Sequence, residues 1–598
     1  MRLLTALLLA ALLPPAHAAP PRSGLGINLD AIAYWQSDWP FIDEMKRAGG
    51  WATRCEPWQS PQCRDFAKGA SANDTKEQDR VDWDENGWAR RLPAADDPTV
   101  KYRQLSALLF QGNGGAHPAG RWVVLYEGKG TIEYGGAGRK VERESRPGRD
   151  VLDVAGKPGE GLALRITRID ERDHLRNIRV IGPGGVCADA PRAWVADASA
   201  CAGRGAFRSL ESLAATQTFH PAFVGDLTGF RALRFTKWSV ANTSKVVRWR
   251  DRPEPSDALW SGEAGVPFEA MFELARATGA DPWISLPPFV DDDYARRLAQ
   301  LAKRSLAPGA TLWFEYGNEP WNQAPPYSEA GTMYEAKARA AWPGATLPAW
   351  QQRLNWYALR SVQLCRIVKR ELGADASRVR CVANAQAANA EVARTILGCE
   401  LAKEQLGAPC ASGFDALAIA PYVGHHLGNN ALAATVDRWP DEPDGGLGKL
   451  FLELTGRDPE GHPATPALHG LPGSSAPREG ALAQARAWTV ANKQVAERFG
   501  LPLVAYEGGQ HLHTYRGGKV EAMFRAANRD PRMGAVLRQL VDDWKAAGGE
   551  LFVAFSYVQQ STRGGAWGMK EHQRDDAAPK WRAIEALRDE GCWWKGCR

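Results

Sequence analysis

The sequence predicts an α/β fold, a (β/α)8 TIM barrel with an antiparallel β-sandwich domain inserted into it, and three observations carry that expectation. From about Leu210 to the C-terminus, short β-branched or aromatic runs alternate with amphipathic helical segments, the pattern of repeated βα units. One more run of the same kind, GLGINLDAIAYW, lies far upstream. Between the two, residues 57–206 have a different texture, with apolar and polar residues alternating between turn signals, which is the pattern of antiparallel sheet.

The strand-like runs of the C-terminal part are ALRF, ending at Phe235; PWISL, at Leu286; TLWFEY, at Tyr316; VRCVAN, at Asn384; DALAIAPY, at Tyr422; LPLVAYE, at Glu507; and LFVAFSY, at Tyr557. Segments such as FEAMFELARATG and NWYALRSVQLCRIVKREL separate them and close on glycine or a polar turn. They are long enough for right-handed crossovers between parallel strands. Closure needs an eighth strand, which GLGINLDAIAYW supplies, followed by the helix-like PFIDEMKRAG. The expected division is a signal peptide at 1–18, a first βα unit at 24–56, the inserted domain at 57–206 and the rest of the barrel at 207–598. Within the insert, RWVVLYEGKGTIEY alternates around a Gly-Lys-Gly turn, and GLALRITRID and NIRVIGPGG follow. A plain alternative sets an N-terminal β domain beside the barrel, with GINLDAI in neither core.

Arg2, the run LLTALLLAALL and the small-x-small triplet Ala16-His17-Ala18 read as an export signal, so the mature chain begins near Ala19. No later run approaches the roughly 20 uninterrupted apolar residues of a membrane helix. A soluble, secreted or periplasmic protein is expected. Ten cysteines suit that compartment and fall into local couples: Cys55/Cys63, Cys187/Cys201, Cys365/Cys381, Cys399/Cys410 and Cys592/Cys597. Sequence leaves their connectivity open. Neither C-x2-C spacing nor a Cys/His cluster points to zinc, and no cofactor is expected. The net charge of +5 is small for 598 residues and the charges are interspersed, which argues against a nucleic-acid partner. The 24 tryptophans suit both cores and the flat faces of sugars.

In a barrel of parallel strands the loops after the C-terminal strand ends ring one mouth, so chemistry is sought there. Glu319, in FEYGNEPWN, lies just past the fourth strand, and Glu507, in VAYEGGQH, at the tip of the seventh. Strands four and seven face each other across a barrel. Glycoside hydrolysis needs two carboxyls flanking the scissile bond, one neutral and one ionised, roughly 5 Å apart when configuration is retained. Hydrogen-bond donors around Glu507 keep it ionised, and its charge raises the pKa of Glu319. The plain readings are a capping or salt-bridging carboxylate at Glu319 and a solvated loop residue before a Gly-Gly turn at Glu507.

Asn-Glu-Pro after strand four with a glutamate ending strand seven resembles the clan A glycoside hydrolases, which include many cellulases, mannanases and xylanases. The resemblance covers the barrel, roughly two thirds of the chain. It implies retaining chemistry, with Glu319 as acid/base, Glu507 as nucleophile and Asn318 binding the sugar hydroxyl next to the reacting carbon. The whole chain is also similar to exported bacterial proteins labelled cellulose-binding, through GINLDAIAYWQSDWPFID and YEGGQHL. One departure is the third strand end, Leu286-Pro287-Pro288, where many clan A enzymes present a polar residue.

Several further residues are substrate-binding candidates. Arg234 and Trp238, in LRFTKW, are placed to orient Glu507 and to stack on a sugar, or else form a core tryptophan with a satisfied arginine. Asn242 is within reach of a hydroxyl, Tyr422 of the nucleophile, Trp567 of the cleaved sugar, and Trp321 lines the cleft. His425, His426, His511 and His513 lack a carboxylate at ligand spacing, so no metal is expected, and His425 is taken as a sugar contact. Asp291, Asp292 and Asp293 read as a helix cap, with calcium as the sharper alternative. The expected function is a monomeric retaining hydrolase of a β-linked polysaccharide or its oligosaccharides, an exopolysaccharide or wall glucan. The alternatives are a non-catalytic carbohydrate-binding protein and a transglycosylase.

Overall fold

A computed structural model describes residues 23–562 and 565–597, so the expected signal peptide at 1–18 lies outside the described residues. Eight parallel strands close into a barrel: Leu25–Asn28, Ala232–Arg234, Asp281–Leu286, Leu312–Tyr316, Val379–Asn384, Ala416–Ile419, Leu503–Ala505 and Phe552–Ala554. They follow one another around the barrel in chain order, and the eighth pairs back onto the first. GLGINLD is therefore the first barrel strand, not a segment outside both cores.

Four strands stop short of their expected ends, the second at Arg234 instead of Phe235 and the eighth at Ala554 instead of Tyr557, and the sixth and seventh as follows. The sixth ends at Ile419, because Pro421 has no N–H for the ladder, and Tyr422–Val423 instead pairs with Gly509–Gln510 in a separate two-stranded ribbon. The seventh ends at Ala505, which leaves Glu507 beyond the sheet.

Side chains alternate between the two faces of each strand. The inward set includes Ala232, Trp283, Trp313, Val382, Ala416, Val504, Tyr506 and Val553, a buried cluster that fills the barrel. Trp283 and Trp313 stack within it, centroids 5.2 Å apart. The outward set packs against the helices in a second, larger cluster. Helix Phe268–Thr278 ends on Gly279, whose φ of +77° is a left-handed cap. Helix Asp292–Ser305 is capped by Asp291, which accepts from the Tyr294 N–H at 2.8 Å. Asp292 pairs with Arg360, and Asp293 with Arg296 and Arg297. The triple aspartate is thus a cap and its ion pairs.

Between the first and second barrel strands the chain forms separate antiparallel sheets. One joins Ala52–Arg54, Gln104–Leu109, Leu162–Ile169 and Gly130–Gly136; another joins Gly138–Lys140, Arg149–Val154, Gly120–Glu127 and Arg176–Ile181. Leu105, Trp122, Ile132, Leu152, Leu164 and Val180, drawn from both, share one buried cluster. The two halves of RWVVLYEGKGTIEY do not pair with each other: the first lies in one sheet and the second in the other. Their Gly-Lys-Gly turn is tied instead to the 170–174 loop, through Lys129 N–H to Asp173 O at 2.7 Å and Asp170 N–H to Lys129 O at 2.9 Å. A Cβ on Gly128 would lie 2.0 Å from His174 O. A small third sheet, Gly185–Cys187 with Ala190–Val195 and Phe207–Ser209, leads back to the barrel. Asp43 fastens the insert to the first barrel loop by accepting from Val180 N–H at 2.9 Å and Met45 N–H at 3.0 Å.

All five expected cysteine couples are disulfides: Cys55–Cys63, Cys187–Cys201, Cys365–Cys381, Cys399–Cys410 and Cys592–Cys597. Such bridges fit an oxidising, extracellular or periplasmic setting. Among the described residues no helix is long and apolar enough to cross a membrane.

Trp122 joins the two insert sheets, buried against Phe110 and hydrogen-bonded through Nε1 to Pro118 O at 3.0 Å. Trp122→Ala is expected to cost about 3–5 kcal/mol of stability, the range for truncating a large buried aromatic, measured by urea unfolding. A loss below about 1 kcal/mol would mean that the two sheets share no core.

Candidate active site

The last inward-facing position of several strands is polar: Asn28 on the first, Arg234 on the second, Ser285 on the third, Glu315 on the fourth and Asn384 on the fifth, all buried. Arg234 is the centre of this layer. Its Nε and Nη2 donate to Glu315 at 3.0 and 3.1 Å, and Nη2 also reaches Asn318 Oδ1 at 2.9 Å. Its Nη1 donates to Glu507 Oε1 at 2.7 Å and Asn28 Oδ1 at 3.2 Å. Glu315 receives Trp283 Nε1 at 2.8 Å, Ser285 Oγ at 2.7 Å and the Asn384 amide. The guanidinium lies 4.8 Å from the Tyr506 ring centroid. A buried cation flanked by two carboxylates with its hydrogen bonds filled is the arrangement that offsets desolvation.

Glu319 stands above this layer. Its φ is +47°, in the left-handed region, and Gly317 just before it has φ +65°. A non-glycine residue held there costs of order 1–3 kcal/mol, and such strain concentrates at functional sites. Its Oε1 accepts from the Tyr506 hydroxyl at 3.2 Å and its Oε2 from Asn322 Nδ2 at 2.8 Å. Burial, and then the charge of Glu507, raises its pKa from 4.5 to about 7. Glu507 pairs with Arg234 and accepts at Oε2 from the Tyr422 hydroxyl at 2.9 Å. Burial and the Glu507 charge hold the Tyr422 phenol well above its usual range, so it stays a donor. Tyr506 is raised by burial and by both glutamates. Tyr327, which also hydrogen-bonds Glu319, is raised in the same way.

Of the residues singled out from the sequence, the structure gathers Glu319, Glu507, Asn318, Arg234, Asn242 and Tyr422 into one network, Asn318 Nδ2 donating to Asn242 Oδ1 at 3.0 Å. Trp567 closes one side, stacked on His513 with centroids 5.6 Å apart and edge-on to His511, whose ring meets Tyr422. His425 packs on Trp488, and burial lowers its pKa. Trp321 is half-buried against the helix layer. Trp238 departs from its expected place on a sugar. It takes the core alternative, buried among Phe41, Phe219, Phe223 and Phe235, where its ring gains apolar contact and its Nε1 is satisfied by Asp30 O at 3.0 Å.

Sequence reasoning missed Glu315, Tyr506, Asn322, Tyr327, Asn28 and Asn384. A signal existed for two of them: Glu315 and Tyr506 share the inward parity of Trp313 and Val504 on their strands. Among the described residues one set of metal-type donors lies close together, Cys365, Cys381 and Asp415, but both sulfurs are spent in a disulfide. A groove of about 1210 Å³ on the outer helix layer, lined by Phe451, Leu482, Arg486 and Val536, holds none of the strand-tip side chains, so it is not the site of this network.

The sequence matches no family model and no curated protein. Solved structures similar to the chain include the GH51 arabinofuranosidase from Xanthomonas axonopodis pv. citri, at 12% identity and TM-score 0.34 over 62% of this chain and 66% of that one. The chain thus spans just under two thirds of that protein's length. The family 1 β-glucosidase from Thermotoga maritima matches at 11% identity and TM-score 0.32, over 62% and 85% of the two chains. A Bacteroidetes-affiliated GH5 cellulase matches at 13% and 0.31, over 63% and 83%. At these overlaps the likenesses bear on none of the side chains at the mouth.

Between about pH 4.5 and 7 native Glu319 keeps a proton that the unfolded chain has released. The unfolded state then binds fewer protons, so stability falls as pH rises through that window. Glu319→Gln removes the loss. The variant is expected to gain on wild type by on the order of 1–3 kcal/mol between about pH 5 and 8, read by urea unfolding at the two pH values. An unchanged difference would mean that Glu319 titrates as an ordinary glutamate.

Proposed function

We propose that the chain is a retaining glycoside hydrolase acting on a β-linked polysaccharide, an exopolysaccharide or wall glucan, with Glu319 as acid/base and Glu507 as nucleophile. What carries the reading is the asymmetry of the two carboxyls at the barrel mouth. Glu319, buried and facing a negative neighbour, holds its proton up to about pH 7, whereas Glu507 is in an ion pair with Arg234.

In the first step the Glu507 carboxylate attacks the anomeric carbon while Glu319 gives its proton to the departing glycosidic oxygen, so one C–O bond forms as another breaks. Arg234 and Tyr422 fix the direction of the Glu507 oxygens, one donor to each. Formation of the ester removes the Glu507 charge, and with it the Coulomb part of the shift on Glu319. The now ionised Glu319 takes a proton from water, which attacks the same carbon and frees Glu507. Tyr506 and Asn322 hold Glu319 in place through both steps. Asn318, anchored by Arg234 and Asn242, is positioned for the hydroxyl next to the reacting carbon. In the same reading Trp567 floors the subsite of the cleaved sugar, His425 and Trp321 border the cleft, residues 57–206 are an inserted β-sandwich domain, and the chain is an exported monomer.

Glu319→Gln and Glu507→Gln are each expected to lower turnover by at least about 10³-fold while leaving the fold intact, measured as reducing ends released from a panel of β-linked polysaccharides. Full activity in either variant ends the assignment. In wild type, kcat/KM is expected to fall as pH rises past about 7, where Glu319 loses the proton it must donate. A profile flat through that region would remove Glu319 from the acid role.

A further inference from the structure

Trp35 lies in the loop that follows the first barrel strand, on the same face as Asn28 and the carboxyl pair. It is 50% exposed, and among the described residues few large apolar side chains are so open to water. The loop beneath it is tied by hydrogen bonds. Asp30 accepts from Gln36 Nε2 at 3.1 Å, and Arg47 donates to the carbonyls of Gln36 and Asp38. Tyr34 meets the Trp35 ring edge-on, centroids 4.8 Å apart.

Three segments of the chain meet at this residue. The Gln560 amide, from the loop after the eighth strand, donates to Trp35 O at 2.7 Å and reaches Gly112 O of the insert at 3.3 Å. Trp39 Nε1 donates to Ala116 O of the same insert loop at 3.2 Å. Gln559, next in sequence to Gln560, accepts from the Trp567 N–H at 3.2 Å. The loop that carries Trp567, whose ring meets His511 beside Tyr422, therefore also holds Trp35 at the junction with the insert.

We propose that Trp35 is a sugar-stacking platform at the rim of the mouth, built jointly by barrel and insert, so that the substrate is a glycan chain long enough to run from the carboxyl pair out to the insert. The inference rests on the glycosidase reading for the identity of the mouth. A flat indole that keeps its apolar face in water while its backbone is fixed binds a sugar ring with little loss of rotamer freedom. It also gives the insert a task, since the 110–117 loop shapes the cleft wall and is not part of a detached module.

The test is binding in an inactive Glu319→Gln background, by affinity electrophoresis in gels containing hydroxyethylcellulose, xyloglucan, mannan or a bacterial exopolysaccharide. Trp35→Ala is expected to weaken binding to the retained polymer by at least about 10-fold, the scale of one well-packed aromatic contact, and Trp35→Phe to restore most of it. Trp58, 63% exposed beside the Cys55–Cys63 bridge, is the control, and Trp58→Ala is expected to change nothing. Melting curves check that each variant is folded. Unaltered retention in Trp35→Ala, equal loss in Trp58→Ala, or no retention of any polymer overturns the platform. Release of reducing ends by wild type separates the two ideas. Hydrolysis with Trp35-independent binding leaves the enzyme reading standing alone, and Trp35-dependent binding without hydrolysis leaves the platform standing alone.

Discussion

Arg234 sits fully buried with a carboxylate on either side, Glu315 below and Glu507 above. Removing either partner would leave uncompensated charge in a medium that tolerates it poorly, at a cost of several kcal/mol. That demand ties strands one, two, three, four and five together through Asn28, Ser285, Glu315 and Asn384, and it fixes where Glu507 can point. In the proposed reaction this ion network has the task of aiming Glu507, because a nucleophile that must meet one carbon atom has to be set before substrate arrives.

The two upper glutamates then differ by environment alone. Glu507 has a cation and a phenol as its donors, whereas Glu319 has only neutral donors and a negative neighbour. One carboxyl group therefore holds its proton to about pH 7 while the other stays paired with an arginine. The left-handed backbone of Glu319 adds a local cost that the surrounding turn sustains, through the Asn322 N–H on Glu319 O at 2.9 Å. Stability is given up at this point for position, which is the usual bargain where geometry must be held.

Around that centre hydrogen bonds join the insert to the barrel loops. Asp43 fastens the insert's Val180 strand to the first barrel loop, and Gln560 clasps Trp35 and Gly112 together. The insert enters between the first two strands, yet its loop reaches the mouth because the loop after strand eight closes the ring beside the loop after strand one. A barrel brings its two chain ends together in space, so a domain placed near one end borders elements from the other.

The sequence by itself determined seven barrel strands, since each is a short apolar run bounded by a helix-period segment and local patterning is enough to specify a unit that repeats. GLGINLDAIAYW reads as the eighth beside an alternative that only the structure excludes. The sequence also suggested the five cysteine couples, whose partners lie near each other in the chain, while leaving their connectivity open, and it placed two glutamates at strand ends, because strand ends are legible. Only the tertiary structure decided which side chains converge. Glu315 and Arg234 are 81 residues apart in sequence and Arg234 and Glu507 are 273 apart, so no local pattern announces either bond. The same holds for Trp238, which sequence left between a sugar contact and the core and packing placed among phenylalanines, and for RWVVLYEGKGTIEY, whose halves entered different sheets. Short-range periodicity fixes the elements, whereas partner choice is set by desolvation and shape across the whole core, and those appear only once the chain has closed on itself.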